Sequence, residues 1–322
     1  MPLRVVLAAG EGDDIAPSLV ERVPGMEIVR VREHDALADA LADADAVVCN
    51  RLEPADTRAA RKLRLVQATS AGADRVDPAA LPPGCVLCNA YEHEHAIAEW
   101  VVMAVLALTR HLLRYDRGLR EDDWSRGLPP ERELRGRTIG TLGLGHIGRR
   151  VIELAGAFGM DAIAVTRSPT PERERAGGLR WLGSLDDLDR LFSEADVAVV
   201  CVPLTEETRN LVGSRQLELL GPDGYLANIA RGAVVQEQPL YEALREGRIA
   251  GAALDVWWNY PETRGAKASP SAYPFHELDN VVMTPHVSGR SEGTRRGRTA
   301  FVIEQLVRLA EGRPLENVLA KG

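Results

Sequence analysis

The sequence predicts an α/β protein of two domains, each a doubly wound parallel sheet. Three observations predict it. Short apolar runs alternate with helical stretches through the first ninety residues. The alternation stops at a long apolar helical stretch, residues 92–114, and resumes from residue 136 to residue 284. The length, 322 residues, suits about two domains.

The elements follow in order. Residues 4–8 and 27–31 read as strands, 36–44 as a helix and 45–49 as a strand. Residues 55–62 read as a helix and 65–68 as a strand, and Ser70-Ala71-Gly72-Ala73-Asp74 is a glycine turn. Cys85 and Cys88 fall in a further strand leading to Asn89. Residues 92–114 are apolar on most faces, as in a buried helix that carries the chain between domains. Residues 119–135, with Trp124, Pro129 and Pro130, form an irregular polar arm. Strands are then expected at 136–142, 162–166, 197–202, 224–229, 251–256 and 281–284. Their near-continuous apolar composition marks strands buried on both faces of a parallel sheet. Residues 294–310 are helical and are expected to cross back onto the first unit. The expected domains are therefore 1–98, completed by 291–322, and 99–290.

Composition narrows the function classes. Acidic residues exceed basic ones, 47 to 39, for a net charge of −8, so no nucleic-acid partner is expected. The longest apolar run, 100–108, is too short to span a bilayer, so no membrane is expected either. The apolar start of the chain is short and soon followed by acids, which reads as a strand and not a signal peptide. Four cysteines in a chain this long are expected to be reduced thiols in the cytoplasm. Cys85 and Cys88 lack the second pair of ligands that a zinc site needs, and His93 and His95 lack a third. No metal is expected.

The most specific motif is Gly143-Leu144-Gly145-His146-Ile147-Gly148, between a buried strand and a helix. The first glycine allows the tight turn, the second lets backbone approach a pyrophosphate, and the third lets helix pack on strand. The helix N-terminus adds N–H donors and a positive dipole. These residues predict a Rossmann-like dinucleotide site. The next strand ends at Thr166, followed by Arg167 and Ser168. An acid at that point would bind the ribose hydroxyls of NAD and repel a 2′-phosphate. Thr166 is neutral, and Asp161 lies at the wrong end of its strand. NADP(H) is therefore expected over NAD(H), with Thr166, Arg167 and Ser168 at the phosphate.

Other candidates stand at strand ends, where ligands of such sheets bind. Asn228-Ile229-Ala230-Arg231-Gly232 follows one strand, Asp255 ends another, and Thr284-Pro285-His286 ends a third. An arginine can grip a carboxylate with its planar fork. A histidine can move the proton of a neighbouring oxygen. Together they suit hydride transfer at a carbon beside a carboxylate.

With these motifs in order, the sequence resembles the D-isomer-specific 2-hydroxyacid dehydrogenase family over nearly its whole length. The likeness rests on Gly143 to Gly148, Val202-Pro203-Leu204-Thr205-Glu206-Glu207-Thr208, Asn228 to Gly232, Ala252 to Val256, and Thr284-Pro285-His286 with Gly289; Asn89 and the Ala98-Glu99 helix match the domain crossover. It implies substrate binding by Arg231 and acid/base catalysis by His286. It implies a substrate-carboxylate loop at Ser70, Ala71 and Gly72, with Arg51 facing the same substrate, and cofactor contacts from Pro203, Ala230 and Asp255. The arm 119–135 resembles the family's dimer-forming segment, which implies a homodimer. The family carries a glutamate, then proline, five residues after the aspartate. Here Tyr260 precedes Pro261, and Glu262 comes two residues late. Similar formate dehydrogenases carry glutamine there. The expected reaction is hydride transfer between NAD(P)(H) and a small 2-oxo or 2-hydroxy acid. Alternatives are a formate-like transfer that needs no strong base, or a dinucleotide-sensing protein without turnover. Trp257, Trp258 and Tyr260 suggest a partly aromatic wall to the site.

Overall fold

A computed structural model describes residues 3–8, 15–23, 25–124, 131–261 and 266–322. Glu262 and part of the 119–135 arm lie outside the described residues. The chain divides into two compact units, Met1–Glu92 with Glu292–Gly322, and His93–Ser291. The first division falls at residues 92 and 93, earlier than the expected 98 and 99. The second falls at 291 and 292, one residue later than expected.

The first unit begins with β1 (Arg4–Leu7), α1 (Ile15–Arg22), β2 (Glu27–Arg30), α2 (Leu37–Leu41), β3 (Ala46–Val48), β4 (Leu65–Gln67) and β5 (Val86–Cys88). The second unit then runs α3 (Glu94–Thr109), α4 (Leu112–Arg120), β6 (Thr138–Leu142), α5 (His146–Ala157), β7 (Asp161–Val165), α6 (Pro171–Ala176), β8 (Trp181–Gly183) and α7 (Leu188–Glu194). It continues through β9 (Val197–Val200), α8 (Ser214–Leu220), β10 (Tyr225–Asn228), α9 (Glu237–Arg245), β11 (Gly251–Leu254) and β12 (Val281–Met283). The chain returns to the first unit with α10 (Glu292–Glu311) and β13 (Val318–Lys321).

The first unit's sheet has the order β13-β5-β4-β3-β1-β2 and is parallel except for β13, which runs antiparallel to β5. Its strands present alternate residues to two cores, as strand geometry requires. Val6, Val47, Val66 and Leu87 enter one core. Val5, Leu7, Ala46, Val48 and Leu65 enter the other, where Val302, Ile303 and Leu306 of α10 cover them. α10 thus returns the chain to this unit.

The second unit's sheet, β12-β11-β10-β9-β6-β7-β8, is wholly parallel. β9, β10 and β11 are buried along their full length. Leu142, Ile163, Val200, Leu226 and Leu254 face one core, while Ile139, Ala164, Val199, Ala227 and Ala253 face the other, beneath α3. Helices on both faces make the sheet doubly wound. No single helix among the described residues is long and apolar enough to cross a membrane.

Four expectations about local structure are corrected. The helix expected at 55–62 is a run of turns. There the Asp56 carboxylate accepts from the Glu53 N–H at 2.8 Å, and the Thr57 hydroxyl donates to the Ala80 carbonyl at 2.7 Å. Such side-chain bonds compete with a helix. The single helix expected at 92–114 is two, because His111 adopts a left-handed conformation with φ of 50° and closes α3 before α4 starts. β8 and β13, short strands at sheet edges, were not expected at all. Several strands also stop one or two residues early, where the chain turns into the loops described next.

Candidate active site

The second unit's candidates all lie in α5's first turn or just past the carboxyl end of a parallel strand. The glycine loop follows β6 and Pro203 follows β9, and between these neighbours the strand order reverses. That is the ligand crevice of this architecture.

Each loop glycine has its own cause. Gly143 has φ of +110°, and a Cβ there would come within 2.8 Å of the Cys201 carbonyl oxygen. A Cβ on Gly148 would lie 2.2 Å from the Gly143 carbonyl oxygen, so helix could not pack on strand. Gly145 differs, because nothing lies within 4 Å of its missing Cβ. It stands at the N-cap of α5, before exposed His146 and half-buried Ile147. The protein's own backbone thus demands the first and third glycines, while the second leaves an open cradle at a helix N-terminus. A pyrophosphate fits that cradle by charge and by size.

Thr166, past β7, donates its N–H to the Gly183 carbonyl at 3.0 Å. Arg167 is exposed and makes no hydrogen bond or ion pair among the described residues. The Ser168 carbonyl accepts from Arg173 at 2.9 Å, which braces the turn. Asp161 pairs in register with Thr138, at the opposite end of the sheet. Past β9, Pro203 is exposed, and its carbonyl accepts from the buried Thr208 hydroxyl at 2.6 Å.

Past β10 the chain is clamped by buried Asn228. Its Oδ1 accepts from the Ala230 N–H and its Nδ2 donates to the Arg231 carbonyl, both at 3.1 Å. The half-buried Arg231 donates from Nη1 to the Ala230 carbonyl at 2.7 Å. Gly232 is required here, since its Cβ would lie 2.3 Å from the Trp257 carbonyl.

Asp255, past β11, has no exposed surface. Its Oδ1 accepts from the Thr284 hydroxyl at 2.5 Å and the Val287 N–H at 2.8 Å, and its Oδ2 from the Ser288 N–H at 2.8 Å. It thus grips the chain on both sides of His286, because the β12 loop folds over the β11 end and satisfies the carboxylate. His286 itself has φ of +58°, a left-handed conformation unusual outside glycine, and its N–H donates to the Thr284 carbonyl at 3.0 Å.

The Tyr260 hydroxyl lies 3.1 Å from His286 Nδ1 and accepts from the Trp257 N–H at 3.2 Å. Burial of the hydroxyl pushes the phenol's pKa up, opposed by the Trp257 N–H and the Arg231 guanidinium, so it stays a neutral phenol near pH 7. The aromatic wall reduces to this residue. Tyr260 is 48% exposed, whereas Trp257 is 6% exposed and packs edge-on against Phe275, on which Trp258 stacks. Thr284, Ser288 and the direction of the Tyr260 hydroxyl were missed from sequence. The five-residue step from Asp255 to Tyr260 is the signal that points to the last.

In the first unit, the loop Ser70-Ala71-Gly72 is braced from both sides. Asn50 Oδ1 accepts from the Thr69 N–H and the Ser70 hydroxyl, both at 3.0 Å. Asn89 Nδ2 donates to the Ala71 carbonyl at 2.7 Å. Arg51 is half exposed and engaged by Glu53 through Nε at 3.0 Å and Nη2 at 2.5 Å. Cys85 and Cys88 are buried, which pushes their thiols up to about 11 and about 12. They pack as small apolar side chains.

Comparisons with known proteins point to one family. The family model for the NAD-binding domain of D-isomer-specific 2-hydroxyacid dehydrogenases matches residues 102–288. A glyoxylate reductase of Thermococcus onnurineus is 32% identical over 324 residues, covering 91% of this chain and 92% of that protein. A D-3-phosphoglycerate dehydrogenase of Methanocaldococcus jannaschii is 31% identical over 309 residues, covering 94% of this chain but only 57% of its own length. The chain thus spans little more than half of that relative. Among solved structures, an NADPH-dependent glyoxylate/hydroxypyruvate reductase from Sinorhizobium meliloti, in complex with NADP and malonate, superposes with a TM-score of 0.77 at 28% identity. The likeness covers 99% of this chain and 97% of that one.

Proposed function

This chain belongs to the D-isomer-specific 2-hydroxyacid dehydrogenase family, and from that premise we propose that it transfers a hydride between NAD(P)(H) and a small 2-oxo or 2-hydroxy acid. The carrying observation is the gathering of Arg231, Tyr260 and His286 past the neighbouring strands β10, β11 and β12. The bound nicotinamide supplies or accepts the hydride. Arg231 holds the substrate carboxylate through its guanidinium fork. His286, tied at Nδ1 to Tyr260, gives the proton to the substrate oxygen in reduction and removes it in oxidation, through Nε2. Asp255 acts one step behind, fixing the backbone that carries His286. In the first unit, taken by itself, the amides of Ser70, Ala71 and Gly72, braced by Asn50 and Asn89, are proposed as carboxylate donors, with Arg51 next to Asn50 in the chain. A panel of 2-oxo acids with NADPH and NADH, followed by loss of nicotinamide absorbance, tests the reading. Turnover of at least one small 2-oxo acid is expected, and inactivity on all of them with bound cofactor would overturn it. Reductases among the relatives favour this reading over a formate-like transfer or a non-catalytic sensor.

We further propose NADP(H) as the preferred cofactor, supported by exposed Arg167 beside Thr166 and Ser168. Arg167→Ala should raise the dissociation constant for NADPH on the order of tenfold while changing that for NADH by less than about twofold. Calorimetry that finds tighter NADH binding in the unaltered protein would contradict the preference. A homodimer is proposed because Leu112, Leu113 and Leu119 on α4, with Trp124 beyond it, are exposed apolar residues close together in the chain. Light scattering of a monomer at micromolar concentration would refute it. A cytoplasmic location is proposed from the low cysteine count, four in 322 residues, and recovery from another cell fraction would contradict it.

A further inference from the structure

We propose that Tyr260 is the positioning residue of His286, holding Nδ1 with a hydroxyl that serves either protonation state and adds no charge. The inference rests on the acid/base role proposed for His286. The Trp257 N–H points at the phenol oxygen at 3.2 Å, and Nδ1 lies 3.1 Å from it on the histidine side. A phenol oxygen has two lone pairs and one proton. When Nδ1 carries a proton, the oxygen accepts from Trp257 and His286 together, and its own proton turns away. When Nδ1 is bare, the hydroxyl turns and donates to it. The tilted packing of the two rings, with centroids 5.7 Å apart, holds the imidazole plane in both cases.

The consequence is electrostatic. A carboxylate at Nδ1 stabilises imidazolium and raises its pKa, whereas a neutral phenol does not. Among the described residues, charged groups that act on Tyr260 include the Arg231 guanidinium and the Asp255 carboxylate. Asp255 spends its oxygens on Thr284, Val287 and Ser288. Reduction requires imidazolium, so its rate falls as pH rises through the histidine pKa. A carboxylate put in place of the phenol, at the same Nδ1, moves that fall to higher pH.

Two variants and one control test this, each checked for folding by its melting temperature. Tyr260→Phe keeps the ring and removes the hydroxyl. It should lower kcat about tenfold and leave the dissociation constant for NADPH within about twofold. Tyr260→Glu should move the alkaline fall of the reduction rate upward by about one pH unit or more. A Tyr260→Phe enzyme with unaltered kcat, or a Tyr260→Glu enzyme with an unaltered pH profile, would overturn the positioning role. His286→Asn in the same assay keeps the two claims apart. If it is as active as the unaltered protein, the acid/base reading itself fails; if it is inactive while Tyr260→Phe is unaffected, only this inference fails.

Discussion

Replacing His286 with asparagine is expected to lower kcat by about 10²- to 10⁴-fold, the usual worth of a positioned acid/base. Asparagine suits the test because it tolerates the left-handed conformation that His286 adopts at φ of +58°. The 284–288 loop then keeps its bonds to Asp255, which are made by Thr284 and by the backbone of Val287 and Ser288. The melting temperature and the dissociation constant for NADPH should stay near their original values. What is lost is the proton at Nε2, which asparagine cannot exchange near pH 7. A kcat within about tenfold of the unaltered enzyme would remove His286 from the chemistry.

Replacing Arg231 has the second largest expected effect, on kcat/KM. Arg231→Ala removes a charged, forked donor for the substrate carboxylate, worth about 3 kcal/mol, or on the order of 10²-fold. Arg231→Lys keeps the charge and loses the fork, so a loss of about tenfold, about 1.4 kcal/mol, is expected. The neighbouring backbone is secured by Asn228 and by the Gly232 approach to Trp257, so the β10 loop should survive either change. Equal kcat/KM for the unaltered enzyme and both variants would show that the carboxylate is bound elsewhere.

Legibility in the sequence followed burial. Strands such as β9 and β11 declared themselves because a parallel strand covered on both faces is apolar throughout. The glycine loop was legible because its spacing encodes close approaches that only glycine allows. The turns at 55–62 were not, since an apparent helix gave way to bonds from Asp56 and Thr57 to partners outside it. The break at His111 carried no glycine or proline to announce it. In the site, residue positions were legible and directions were not. Asp255 stood at a strand end as expected, but its carboxylate turned inward because its donors lie about thirty residues further along, in the β12 loop. Tyr260 stood where a glutamate belongs in the family pattern. Its hydroxyl reaches Nδ1 only through the folding of the β11 and β12 loops.

The proposed transfer of a hydride between a nicotinamide and the carbon beside a carboxylate can be followed atom by atom. NADPH dideuterated at C4 of the nicotinamide, incubated with glyoxylate and the unaltered enzyme, tests it without reference to any indirect signal. Glycolate carrying one deuterium at C2, seen as a one-unit mass increase, is the expected product, formed about 10²- to 10⁴-fold more slowly by the His286→Asn enzyme. Unlabelled glycolate, or consumption of the cofactor without deuterium in any 2-hydroxy acid across the 2-oxo acid panel, would contradict it.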